Sequence, residues 1–286
     1  MLGPVTIAGL DQPPLFVSDL DYTLLRSDGT LSEYSAAIIK RLLDDGLQFT
    51  FATARSFQSA SNVTRSLRLR LPVITYGGTI TVDPAQERPS DIRSLDNRVV
   101  RAICTAVDNV PAAEPIFFTF EAGRDRIRWR PSYETKGVRS FLAARPDDRR
   151  LWPVGQWEEL DGQFVFYVSI IGDRHSVQTL HESLRDDLVG CASFLGEQPG
   201  TAGEFWLEIH AADGTKAQAA RRLADNLGIS TIIAFGDNLN DMPLFTIADE
   251  GYAVANAVPE LRAIATRTIG HNDDDAVARW LKDRFG

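Results

Sequence analysis

The stretch LFVSDLDYTLL, Leu15 to Leu25, runs from apolar residues into two aspartates, Asp19 and Asp21, with one residue between them. Leu15–Ser18 reads as a short strand of the buried parallel type. Charges are costly to bury unless something compensates them. A core strand that ends in two carboxylates therefore needs a reason, and the rest of the chain supplies one.

Downstream, strand and helix signals alternate. LSEYSAAIIKRLLDDG offers Ser32 as a helix cap, an apolar face of Ile38, Ile39, Leu42 and Leu43, and Gly46 as a stop. LQFTFAT reads as a second strand, SFQSASNVTRSLRL as a helix, and LPVITYGG as a third strand closed by glycines. Such alternation implies βαβ units and a parallel sheet with helices on both faces.

After about Val82 the texture changes. DPAQERPSD reads as a polar linker. LDNRVVRAICTAVDNV follows as a helix, PIFFTFE and DRIRWR as a strand pair turning at Ala122-Gly123, and YETKGVRSFLAA as a further helix. GQFVFYVSIIG, CASFLGE and EFWLEIH read as strands, with a helix at RHSVQTLHESLRDDL. Neighbouring strands on short turns predict an antiparallel sheet with helices on one face. From about Ala211 the alternation returns through TKAQAARRLADNLG, TIIAFGD, GYAVA and a final helix, DDAVARWLKDRF. The expected fold class is α/β: residues 1–82 and 210–286 form a Rossmann-like parallel-sheet core, and 83–209 an inserted α+β domain.

The 286 residues are 44% hydrophobic, enough for two moderate domains. The net charge of −9 argues against a nucleic-acid surface. The two cysteines, Cys104 and Cys191, make no CxxC pattern, so neither a disulfide framework nor a zinc site is expected. MLGPVTIAGLDQPPLF has no basic segment leading a long apolar one. No signal peptide and no membrane span are expected, and a cytoplasmic location follows.

In open α/β sheets, ligands bind outside the carboxyl ends of the strands. Asp19 and Asp21 follow the first strand, Thr53 follows LQFTFA, and Asp237 follows TIIAFG with Asn240 and Asp241 just beyond. Lys216 opens a helix. The opening question is thereby answered: the strand ends in carboxylates because its end is the site. Like charges this close need a cation. Asp19, Asp21 and Asp237, all oxygen donors, suit Mg²⁺. Lys216 and Thr53 would face a phosphate held on it.

These residues resemble the haloacid dehalogenase superfamily of phosphohydrolases. DLDYTLL matches its first motif, FATAR resembles its second, GTKAQA its third, and GDNLND matches its fourth, all in family order. The insert between the second and third motifs is similar in placement to the C2B cap of the Cof-type branch. Two departures stand out: Ala54 where that branch usually has glycine, and Gly77-Gly78 where it usually has Asn-Gly. The resemblance implies Asp19 as the nucleophile that becomes an aspartyl-phosphate and Asp21 as the acid/base. It also implies Thr53 and Lys216 on the phosphoryl oxygens, Asp237 on Mg²⁺, and Asn240 and Asp241 supporting that shell. The expected activity is hydrolysis of a small phosphorylated metabolite, a sugar phosphate or a relative of one, with Arg55 a substrate contact or a surface ion pair.

Each residue also has a plainer reading. A lone DxD is usually a turn or cap, and Thr53, Lys216 and Asp237 taken singly are structural; their joint order at strand and helix ends outweighs this. Asn256 reads either as loop support or as a turn residue. NDDDA at 272–276 reads as a solvated helix start, and Arg124, Arg126, Arg128 and Arg130 as a solvated strand face. The four histidines have no metal-binding spacing. A phosphomutase or phosphotransferase with the same intermediate remains open, as does a phospho-accepting regulatory module. Receivers of that kind lack the second aspartate and the long insert. A dinucleotide-binding protein fails for want of GxGxxG.

Overall fold

The computed structural model describes residues 13–110, 112–197 and 203–285. The stretch read for a signal peptide lies largely outside them. In chain order the elements are β1 (Leu15–Ser18), α1 (Glu33–Asp44), β2 (Gln48–Phe51), α2 (Phe57–Thr64), β3 (Val73–Thr75), β4 (Ile80–Asp83) and β5 (Arg88–Ile92). Then come α3 (Asn97–Val107), β6 (Ala113–Glu121), β7 (Arg124–Arg128), α4 (Lys136–Ala143), β8 (Phe164–Gly172), α5 (Arg174–Ser183), β9 (Cys191–Glu197) and β10 (Phe205–Ala211). The chain closes with α6 (Lys216–Leu227), β11 (Ile232–Gly236), α7 (Met242–Ile247), β12 (Glu250–Ala253), α8 (Pro259–Ile264), β13 (Arg267–Thr268) and α9 (Ala276–Phe285).

Two compact units result: residues 1–91 with 214–286, and residues 92–213. The first is a parallel sheet in the order β13-β12-β11-β1-β2. β1 lies between β11 and β2, and Leu15, Phe16 and Val17 are buried. From β1 the chain moves outward through β2, which bridges to β3 at Ala52–Ile74. It returns much later to lay β11 on the other side of β1. This reversal opens a crevice at the carboxyl ends of β1 and β11, where ligands bind in such sheets. α1 forms as its sequence suggests: Ser32 accepts a hydrogen bond from the Ser35 N–H, and Ser35, Ile39 and Leu42 give a buried stripe at helical spacing.

The polar stretch from Asp83 is not a linker. The Asp83 carboxylate accepts from the amides of Ala85 and Gln86, closing a turn into β5. β3, β4 and β5 make a three-stranded sheet of their own, so the changeover falls at Asp91 and not at Val82. β5 is largely unburied and carries no apolar signature that the sequence could reveal.

The inserted unit is a sheet in the order β7-β6-β8-β10-β9, with antiparallel pairings throughout. Ala122 and Gly123 turn β6 into β7 with φ of +48° and +80°, the left-handed pair a two-residue hairpin requires. α3 and α5 cover one face with Val99, Ile103, Val177 and Leu180 against Phe117 and Leu207. The expectation of helices on one face fails for α4. Phe141 packs edge-on to Phe118 and lies beside Trp206, residues that alternate to the other face.

Two charged stretches also differ from their plain readings. Arg128 and Arg130 are buried: Arg128 pairs with Glu121, and Trp157, brought in by the segment before β8, lies against the Arg130 guanidinium and edge-on to Phe117. Asp275 is buried as well, and takes hydrogen bonds from Arg26, Ser32 and Ser35. Asp273 is partly exposed, as a solvated helix start would be, but accepts from Ser27.

Candidate active site

Asp19 leaves the end of β1, and its amide donates to the Phe235 carbonyl of β11 at 2.9 Å. Next comes a single turn over Leu20–Leu24, closed by the Leu25 N–H on the Leu20 carbonyl at 2.8 Å. Thr23, in that turn, donates its hydroxyl to Asp237 Oδ1 at 2.9 Å. The ends of β1 and β11 are thus tied by both backbone and side chain.

Lys216 enters from the start of α6, whose cap is Thr215. Its Nζ lies 2.8 Å from Asp19 Oδ1 and 2.7 Å from Asp241 Oδ1. Asp241 turns back beneath β11, and its Oδ2 accepts from the amides of Asp237 and Asn238 at 3.0 and 3.2 Å. Two glycines make room. A Cβ on Gly236 would stand 2.7–2.8 Å from the Asp241 carboxyl group and its Cβ. One on Gly78, whose φ is +116°, would stand 2.1–2.5 Å from the backbone of Thr215 and Lys216.

Carboxylate oxygens of Asp19, Asp237 and Asp241 lie within 4.8 Å of one another, all three residues buried. Fully ionised, they and Lys216 would sum to a charge of −2. Burial pushes the Asp19 carboxyl up to about 8; Lys216 opposes this, while Asp241 and Asp237 add to it. Burial also lifts Asp237 to about 6, against the Thr23 hydrogen bond and with the Asp241 charge. Burial would lower Lys216, but Asp19 and Asp241 outweigh it and hold the ammonium above its ordinary range. The deficit is one of positive charge. An all-oxygen donor set short of two positive charges fits a hard divalent cation, which these carboxylates could hold; Asp241 is already engaged with Lys216 and backbone.

A family model for haloacid dehalogenase-like hydrolases matches residues 16–281. The chain belongs to that family. A curated relative from Bacillus subtilis, 5-amino-6-(5-phospho-D-ribitylamino)uracil phosphatase, is 28% identical over 96% of this chain and 98% of its own length. A putative phosphatase of Mycoplasma genitalium is 37% identical over 84% of this chain and 86% of its own. A solved haloacid dehalogenase subclass IIB sugar phosphatase shares the fold at a TM-score of 0.71, with 17% identity over 94% of this chain and 98% of that one. This haloacid dehalogenase-like hydrolase is an enzyme of the phosphatase class, with a parallel-sheet core and an inserted cap-type domain.

Within the hydrolase, the residues named from sequence do not all converge. Asp19, Lys216, Asp237 and Asp241 do. Thr53 is buried one strand away, its hydroxyl accepting from the Arg55 amide at 3.1 Å. The Asp21 carboxylate is not part of the buried carboxylate cluster. Its half-exposed carboxylate is gripped by Arg55, with Nε at 2.9 and 3.1 Å and Nη2 at 2.6 Å. Arg55 is therefore an ion-pair partner here. Asn240 is exposed, and the buried supporting role falls to Asp241. The sequence reading passed over Thr23, although it stands inside the first motif. It also passed over Gly236, whose signal was its place directly before Asp237. Among the described residues no helix is long and apolar enough to cross a membrane.

Proposed function

We propose that the protein is a Mg²⁺-dependent phosphatase that hydrolyses a small phosphate monoester through an aspartyl-phosphate on Asp19. The observation that carries this reading is the buried Asp19–Asp237–Asp241 cluster with one lysine, all at strand and helix ends on one edge. Bound by Asp19 and Asp237, the cation would supply neutralising charge for an anionic phosphoryl group.

Asp19 attacks phosphorus: an Asp19 O–P bond forms and the bond to the leaving oxygen breaks. Asp21 donates a proton to that oxygen. Asp21 then takes a proton from water, the water oxygen attacks phosphorus, and the Asp19 O–P bond breaks to release phosphate. Such acid/base assistance contributes roughly 10²–10⁴-fold. Lys216 stabilises the charge on the transferring group and fixes the attacking carboxylate. Thr53 would donate its hydroxyl to a phosphoryl oxygen. Arg55 occupies the Asp21 oxygens, so either side chain must turn before Asp21 serves the leaving group; a freed Arg55 is a donor for the substrate.

The substrate is a phosphorylated metabolite. The ribityl phosphate named for the Bacillus relative heads the compounds to try, followed by sugar phosphates. Two free cysteines fit a cytoplasmic setting. The test is phosphate release from such a panel with Mg²⁺, paired with mass spectrometry of Asp21→Asn after mixing with an aryl phosphate. Release together with phosphate on Asp19 is expected. Phosphate on another residue, or turnover by Asp19→Asn, overturns the reading.

A further inference from the structure

Tyr22 sits between Asp21 and Thr23 in a conformation that side chains other than glycine rarely adopt, with φ of +56° and ψ of 9°. Such a residue persists only where its surroundings over-determine it. Here the surroundings are two asparagines from the far end of the chain. Asn256, in the turn after β12, donates its Nδ2 to the Tyr22 carbonyl at 2.8 Å. Its Oδ1 accepts from the Asn272 amide at 3.1 Å. Asn272, buried to 1% exposure, returns its own Nδ2 to the Leu25 carbonyl at 3.0 Å. The two carboxamides thus hold the turn at both ends, and Thr23 with its bond to Asp237 lies between them.

We infer that Asn256 is a positioning residue for Asp21. Its bond to the Tyr22 carbonyl holds the left-handed residue that directs Asp21 away from the carboxylate cluster, while Asp19 stays fixed by β11. The direction of the Asp21 side chain depends on the peptide between Asp21 and Tyr22. Only Asn256 reaches the carbonyl next along the chain among the hydrogen bonds described at this turn. Asn256 is only partly buried and in a turn, so its loss removes this restraint without opening the core. The inference rests on the reading of Asp21 as the acid/base.

Asn256→Ala should lower kcat about 10- to 100-fold on an alkyl phosphate, the scale of a small misplacement of a reacting group. KM and the melting temperature should move little. The loss should be several-fold smaller on p-nitrophenyl phosphate, whose leaving group needs no proton. In the Asp21→Asn background, Asn256→Ala should cost little more, because residues acting through one group are not additive. Asn256→Asp, which keeps the acceptor for Asn272 but not the donor, should show the same pattern if Asn256→Ala folds poorly. Equal losses on both substrates, multiplying losses with Asp21→Asn, or an unchanged kcat overturns the inference. Full activity of Asp21→Asn on the alkyl phosphate instead overturns the acid/base reading beneath it, and is seen before any Asn256 variant is made.

Discussion

Each unit of the chain buries a charged cluster, and the two are balanced differently. In the inserted unit, Arg130 and Glu114 are 6% and 5% exposed and meet through two hydrogen bonds of 2.8 and 3.1 Å. The guanidinium also faces the rings of Tyr133 and Trp157, and its second anion, Asp108, stands half in solvent. Buried charge meets buried charge one for one. In the parallel-sheet unit, three buried carboxylates share one buried ammonium. A closed pair holds a fold together. A cluster left with surplus charge of one sign is unstable by itself and is poised to take up something of the opposite sign.

The largest effect should come from the surplus cluster. Asp19→Asn is expected to lower turnover on the order of 10⁴-fold or more, as removal of a nucleophile does. The metal-free melting temperature should hold or rise, because the surplus of negative charge in the cluster has fallen by one. Steady-state kinetics and calorimetry on one preparation check both; a marked fall in stability would mean that the cluster is structural after all.

The closed pair should behave in the reverse way. Arg130→Met strands the Glu114 carboxylate and should cost about 3–5 kcal/mol of stability. Adding Glu114→Leu should recover much of it, since a well-packed apolar pair can replace a buried ion pair. Denaturant unfolding of the single and double variants measures this. A double variant as unstable as the single one would deny that the pair is balanced.

A third comparison separates the cluster from its support. Gly236→Ala places a methyl against the Asp241 carboxyl, and should lower kcat about 10- to 100-fold through a displaced Lys216. Asn226→Ala, at an exposed position of α6, is the surface control and should change nothing measurable. Kinetics of the two variants decide whether the close approach matters.

The smallest effect concerns pH. The folded Asp19 and Asp237 carboxyls stand near 8 and 6, above the unfolded value of 3.8. Both bind protons more tightly folded than unfolded. Their contribution to metal-free stability is complete below pH 3.8 and is lost as pH rises through 6 to 8. A divalent cation must displace those protons. Its apparent affinity should rise across the same window, with proton release visible by calorimetry in buffers of different ionisation enthalpy. Mg²⁺ should therefore raise the melting temperature more at pH 8 than at pH 6, and a flat difference would place the site elsewhere.

Much of the parallel-sheet unit is legible in the sequence because its strands are short apolar runs that end abruptly in polar residues. Asp19, Lys216 and Asp237 stand out for the same reason. What stays hidden depends on partners distant in the chain. β5 has no buried face and reads as linker. The periodicity of Arg124 to Arg130 reveals a strand face, but not that Trp157 covers part of it. Asp21 stands apart from the buried carboxylates, paired with Arg55, and the bare backbone of Gly236 lets Asp241 fold inward onto Lys216.

The placement of β1 has a consequence for synthesis of the chain. This strand is made long before β11, for which one of its two edges must wait; the neighbouring Asp237 follows Thr23 by 214 positions. Until then the ribosome-bound chain carries an apolar strand with an unpaired edge, a template for pairing with other chains. Over that interval Asp19 has neither Lys216 nor its companion carboxylates. A chain stopped before β11 would thus be prone to aggregate and chemically inert, and the carboxylate cluster comes together only once β11 and the residues that follow it have been made.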